Sequence, residues 1–127
     1  MLLNHVALVN TSEEQAGRFY GEFLEFEKTR EYTVTSGLAE QLFSLYRDIK
    51  AVVYEKDSIR FEIFIYPDSI PATSEIRHTA LFVDDLPAFL ERASEFQIEH
   101  IIGKTPEKTV HFIKDYSGNL IEVKQKP

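Results

Sequence analysis

One short pattern occurs twice in this chain, 73 residues apart. Asn4-His5-Val6-Ala7-Leu8-Val9 returns as Arg77-His78-Thr79-Ala80-Leu81-Phe82-Val83, with His, Ala and Leu at the same offsets. Each run has the length and apolar character of a buried strand, and each is followed by a helix-start signal. The repeat predicts two copies of one supersecondary unit, each opening on a strand that carries a histidine.

The rest of the chain fills in both copies. Leu2 to Val9 reads as the first strand. Thr11-Ser12-Glu13-Glu14 supplies a capping box, with Thr at the N-cap and acid in the first turn. Ala16, Phe19, Tyr20, Phe23 and Leu24 then fall on one stripe of a helix over about residues 12–23. Glu25 to Val34 ends in a second strand at Tyr32-Thr33-Val34, while residues 36–47 fit a short helix or an irregular lid equally well. Lys50 to Tyr54 and Ile59 to Tyr66 are strands joined by a hairpin turn at Glu55-Lys56-Asp57-Ser58. Pro67 to Ser74 has two prolines and no periodicity, and reads as a linker.

The second copy begins with a strand at 77–83. Asp84 or Asp85 caps a helix with Pro87 in its first turn and Leu86, Phe89, Leu90 and Ala93 on its apolar stripe. Strands near 97–102 and 109–114, a turn at Asp115-Tyr116-Ser117-Gly118-Asn119 and a strand at 119–124 complete it. The expected class is therefore α+β: two βαβββ modules, about 1–67 and 76–127 around a linker at 67–75. They form one domain with a cupped, barrel-like mixed sheet and the helices outside.

Composition limits the partners. At 127 residues, 43% hydrophobic and 28% charged, the chain can bury a core without a disulfide or structural metal, and it has no cysteine for either. A net charge of -7 argues against a nucleic-acid partner, because neutralising phosphates needs a basic face. No run is long and apolar enough for a membrane span, and no leader pattern opens the chain, so the expected compartment is the cytoplasm.

Alternation along the strands sorts the polar residues. In Arg60-Phe61-Glu62-Ile63 and Leu120-Ile121-Glu122-Val123, the apolar residues point to the helix layer and the two glutamates point away. His5 and His78 have the same arrangement in their own strands. Taken singly, a strand histidine is most often satisfied by backbone groups, and a strand glutamate most often faces solvent. The repetition across both copies weighs against those readings. If the two halves meet, two imidazoles and two carboxylates form a donor set that suits an octahedral divalent ion with open positions.

These residues resemble the vicinal oxygen chelate superfamily, which includes glyoxalase I, methylmalonyl-CoA epimerase, extradiol dioxygenases and antibiotic-resistance proteins. The resemblance covers nearly the whole chain. It is carried by Asn4-His5-Val6-Ala7-Leu8, Phe19-Tyr20, Phe23-Leu24, Arg60-Phe61-Glu62-Ile63, Arg77-His78-Thr79-Ala80-Leu81 and Val83-Asp84-Asp85-Leu86. Asp115-Tyr116-Ser117-Gly118-Asn119-Leu120-Ile121-Glu122 resembles the family's D-P-D-G-N-x-I-E ending, with Tyr116 in place of Pro.

The resemblance implies that His5, Glu62, His78 and Glu122 ligate one divalent metal (Ni, Co, Zn, Mn or Fe), and that Glu122 or Glu62 acts as the catalytic base. It points to the glyoxalase I and epimerase branches, hence to a lyase or isomerase working on a small-molecule substrate as a homodimer. An Fe(II) extradiol-type dioxygenase and a non-catalytic drug-binding protein are the alternatives. Arg60 and His111 are the candidate substrate-binding residues, Arg60 for an anion and His111 as an acid or base near neutral pH. After Tyr66 the sequence has no match to the polar residues with which glyoxalase I holds glutathione, so the substrate is not readable.

Overall fold

In the computed structural model, residues 1–68 and 76–127 are described, and the chain divides into two compact units, Met1–Ser69 and Ile70–Pro127. The expected linker lies from residue 69 onward outside the described residues.

Unit one contains β1 (Val6–Asn10), α1 (Glu13–Ala16), a π-helical continuation of α1 (Gly17–Phe23), β2 (Glu27–Val34), α2 (Ser36–Phe43), β3 (Ile49–Lys56) and β4 (Ile59–Ile65). Its four strands form a mixed sheet in the order β1-β4-β3-β2, with β1 parallel to β4 and the other pairs antiparallel. Two expectations need correction. β1 starts at Val6 rather than Leu2. The N-cap is Ser12, whose extended backbone lets its Oγ accept from Gln15 N at 3.2 Å, rather than Thr11. Of the two readings for residues 36–47 the helix holds, over Ser36–Phe43, and it adds one element to the βαβββ order of this unit.

The aromatic stripe explains the first helix. Phe19, Tyr20 and Phe23 are almost fully buried, and their rings meet each other and Phe61 at centroid distances of 4.8–5.4 Å. The wider π turn brings all three against the sheet at once. Gly17 and Gly21 give Tyr54 close access to the helix: a Cβ at Gly17 would sit 3.6 Å from its hydroxyl and one at Gly21 3.6 Å from its ring. Beneath the helix lie Phe61, Ile63 and Val52, all fully buried. Truncating a ring of this kind, as in Phe61→Ala, costs about 3–5 kcal/mol. The opposite face of the sheet carries Ala7, Glu62, Phe64 and Ala51. α2 covers part of that face through Ala39, which packs with Val34 and Ile49, and through Phe43, edge-on to Phe64 at 6.0 Å.

Unit two contains β5 (His78–Val83), α3 (Leu86–Glu95), β6 (His100–Lys104), β7 (Thr109–Lys114) and β8 (Leu120–Gln125). Its sheet, in the order β5-β8-β7-β6, repeats the topology of the first. Asp85 caps α3 by accepting from Ala88 N at 3.0 Å. Gln97 ends it in the left-handed region (φ 57), so β6 begins at His100 rather than near 97.

The 115–119 turn is built on Asp115. Its Oδ1 accepts from Ser117 N and Asn119 N, both at 2.9 Å, and Gly118 takes φ 89. Tyr116, where the family has Pro, donates its hydroxyl to the Phe96 carbonyl at 2.6 Å and so ties the turn to the end of α3. Ile113, Ile121, Val123 and Ala93 form the core. Each unit carries its own four-stranded mixed sheet with its helices, the expected α+β architecture. Among the described residues no helix is long and apolar enough to cross a membrane.

Candidate metal centre

Each unit sets one histidine beside one glutamate on the sheet face turned from its helix. Parallel pairing produces this twice. Ala7 of β1 lies opposite Glu62 of β4, and Ala80 of β5 lies opposite Glu122 of β8. The spacing shared by the two copies has a physical meaning. His and Ala, two residues apart, share the polar face, and the small Ala leaves room beside the carboxylate.

In unit one, His5 sits just ahead of β1 and its Nδ1 is 2.5 Å from Glu62 Oε2 and 2.7 Å from Asn4 Oδ1. Both neighbours are acceptors, so Nδ1 carries the proton and Nε2 is the lone-pair nitrogen of the neutral ring. Glu62 is 8% exposed, and its other oxygen accepts from the Tyr32 hydroxyl. Burial first, and the Glu62 carboxylate second, push the Tyr32 hydroxyl up to about 12, so it is a donor at any physiological pH. Arg60 lies on the same face. Its Nε donates to Glu55 Oε1 at 2.8 Å and its guanidinium reaches Asn4 Oδ1 at 3.4 Å. Arg60 is thus tied to the histidine through Asn4.

In unit two, His78 Nδ1 is 2.7 Å from the Ile76 carbonyl, which can only accept. The proton is therefore on Nδ1, and the lone pair of Nε2 faces Glu122 Oε2 across 3.5 Å. Two electron-rich atoms opposed in this way leave a gap that a cation fits. Phe112 supports the imidazole edge-on at 5.0 Å, and Lys124 Nζ is 3.3 Å from Glu122 Oε1.

Two neutral imidazoles and two carboxylates fit a divalent ion chemically, and the Nδ1 hydrogen of His78 is engaged by a backbone acceptor as a metal-ligating histidine requires, whereas that of His5 is shared between Asn4 and Glu62. The described residues contain no group of three or more His, Asp or Glu side chains placed to hold a metal, so the expected quartet stands as two His–Glu pairs, one in each unit.

His111 is not brought to Glu122. It pairs with Val123 across β7 and β8, and so occupies the helix-side face, where its Nδ1 is 2.9 Å from His100 Nε2. The alternation rule held that answer, since His111 is one residue out of phase with Phe112, the neighbour of Glu122. Tyr32, Asn4 and Phe112 are the residues that sequence reasoning missed. Tyr32 was hidden by the register shift between Lys28 and Arg30, which prevents counting its face from the start of β2.

Comparison with known proteins bears on the family and the fold. The Glyoxalase/Bleomycin resistance protein/Dioxygenase superfamily model matches residues 2–123. Among solved structures, a glyoxalase family protein from Enterococcus faecalis is 24% identical, with 96% of this chain and 95% of that chain covered and a TM-score of 0.71. The fosfomycin resistance protein FosX from Listeria monocytogenes, complexed with Mn(II) and sulfate ion, is 18% identical over 98% and 92% of the two chains, at 0.68. The trypanothione-dependent glyoxalase I of Leishmania major is 15% identical over 95% and 84%, also at 0.68. No curated protein matches. By its duplicated module and the match over nearly its full length, the chain belongs to the Glyoxalase/Bleomycin resistance protein/Dioxygenase superfamily.

Proposed function

We propose that this chain is a divalent-metal-dependent isomerase or lyase of the glyoxalase type, acting on a small molecule that offers two adjacent oxygens. His5, Glu62, His78 and Glu122 would hold the ion. The observation that carries the reading is the His78 Nε2 lone pair opposed to Glu122 Oε2 at 3.5 Å, with a second His–Glu pair in the first unit, where Glu62 faces the Nδ1 of His5. The Mn(II) of the related FosX structure supports a divalent ion of this kind. When bound, the metal supplies Lewis acidity to stabilise negative charge on a substrate oxygen.

The two glutamates are held differently. Glu62 is fixed at both oxygens, by Tyr32 and by His5. Glu122 is held by one lysine and a more distant imidazole, and its side chain is more exposed, 16% against 11%. Glu122 is therefore the base: its carboxylate takes the proton from the carbon next to a substrate carbonyl and returns it at the adjacent position. Glu62 stays as the fixed anion.

The test is solvent-deuterium exchange at the α-protons of thioesters and α-keto compounds, with added Mn(II), Ni(II) or Co(II). Glu122→Gln is expected to abolish exchange while Glu62→Gln retains part of it. Metal uptake without exchange on any substrate would favour a binding protein. Activity only with Fe(II) and O2 would favour ring cleavage.

A further inference from the structure

We propose that His100 and His111 form a second divalent-metal site, separate from the His–Glu pairs and on the opposite face of the second sheet. The two residues are diagonal across the β6–β7 ladder: His100 pairs with Ile113, and His111 pairs with Ile102. Both half-buried, they lie on the helix-side face with Ile113 and Val123, His100 on the strand that ends the sheet and His111 on its neighbour. His100 Nε2 and His111 Nδ1 are 2.9 Å apart, and the rings are stacked at 25° with centroids 5.2 Å apart.

The separation is that of two nitrogens sharing one ion. Metal–imidazole bonds of about 2.0–2.1 Å, meeting at a right or tetrahedral angle, set their nitrogens about 2.9–3.4 Å apart. Without metal, one ring donates its N–H to the other's lone pair. Binding moves that proton to the far nitrogen of the same ring, so both lone pairs converge and no net proton leaves a neutral pair. Among the described residues no carboxylate bonds to either ring, so the site offers nitrogen donors alone. That chemistry selects Zn(II), Ni(II) or Cu(II) over Mn(II) or Mg(II). A metal held by these two nitrogens would need its further ligands from water or from another molecule. This site does not rest on the proposed activity, since none of its residues belongs to the His–Glu pairs.

The experiment is a Zn(II) titration of the chelator-stripped full chain, read by bound-metal stoichiometry and by the imidazole nitrogen NMR signals of wild type. The account expects His100 Nε2 and His111 Nδ1 to shift to metal-bound values, and His100→Gln and His111→Gln each to lose one equivalent of bound Zn(II). His5→Ala is expected to leave the His100 and His111 shifts intact. Unmoved His100 and His111 signals at saturating Zn(II) would overturn the proposal; the wild-type spectrum decides this even if a variant fails to fold.

Discussion

The most informative substitution is Tyr32→Phe, which removes one oxygen and leaves the ring. In the native protein that hydroxyl donates to Glu62 Oε1, while His5 Nδ1 approaches Oε2. Glu62 is nearly buried, so its freed oxygen has little water to take over. A hydrogen bond to a charged group contributes about 1.5–3 kcal/mol. The site's polar face is partly open, which puts the expected loss at about 1.5 kcal/mol. For a chain of this size, 1 kcal/mol moves Tm by roughly 3–6 °C. Tyr32→Phe should therefore melt roughly 5–9 °C below wild type, in chelator at neutral pH, by circular dichroism. The ring itself stays packed against Phe64 at 6.5 Å, so the loss belongs to the hydroxyl. A double-mutant cycle with Glu62→Gln isolates the pair and should return a coupling of about 1 kcal/mol. A Tyr32→Phe melting point equal to wild type, or a cycle that closes at zero, refutes the claim that Tyr32 holds Glu62.

The same hydroxyl, His100 and two glycines carry the other expectations. Because the folded Tyr32 ionises only near 12 and an unfolded tyrosine near 10, its contribution is complete below pH 10 and is lost as pH rises toward 12. Alkaline melts should therefore show a steeper decline for wild type than for Tyr32→Phe. His100 behaves in the opposite sense: burial, then the neighbouring His111, pull it below its ordinary 6.5. Its stabilising contribution is present above pH 6.5 and fades as pH falls below that value, so metal-free wild type should lose stability on acidification with a slope that His100→Gln flattens. Two glycines should answer alanine with opposite signs in denaturant titrations. Gly118→Ala, at φ 89, should destabilise by about 1–2 kcal/mol, whereas Gly37→Ala, helical and with open space around its Cβ position, should stabilise by about 0.5–1 kcal/mol.

The parts of the fold legible in the sequence were those that repeat or alternate. The His-x-Ala-Leu echo marked β1 and β5, and period-two alternation put Phe61 and Ile63 in the core with Glu62 opposite. What the sequence concealed depended on atoms distant in the chain. The start of β1 is set by where β4 can pair with it, since Val6 meets Phe61, and apolar Leu2 and Leu3 remain exposed despite their strand-like character. The helical state of residues 36–43 depends on Asp48 accepting from Ser36 N at 2.7 Å and on Ala39 packing against Val34 and Ile49. None of those contacts is visible as periodicity. In the candidate site, the glutamates and histidines were legible by type and face, but their partners were not. Asn4 and the Ile76 carbonyl fix the proton on each imidazole and Tyr32 holds Glu62, and they are found only once the structure is known.

The central claim is that His5, Glu62, His78 and Glu122 serve one divalent ion together. Mn(II) tests it best, because a hard ion favours sites with carboxylates over the bare imidazole pair at His100 and His111. Its binding to the chelator-stripped chain can be read from the loss of the free-ion paramagnetic resonance signal. The account predicts about one Mn(II) per chain, with uptake lost in His5→Ala and lost equally in His78→Ala, although the two residues stand in different units. Full Mn(II) uptake by either single variant, or none by wild type, would contradict it.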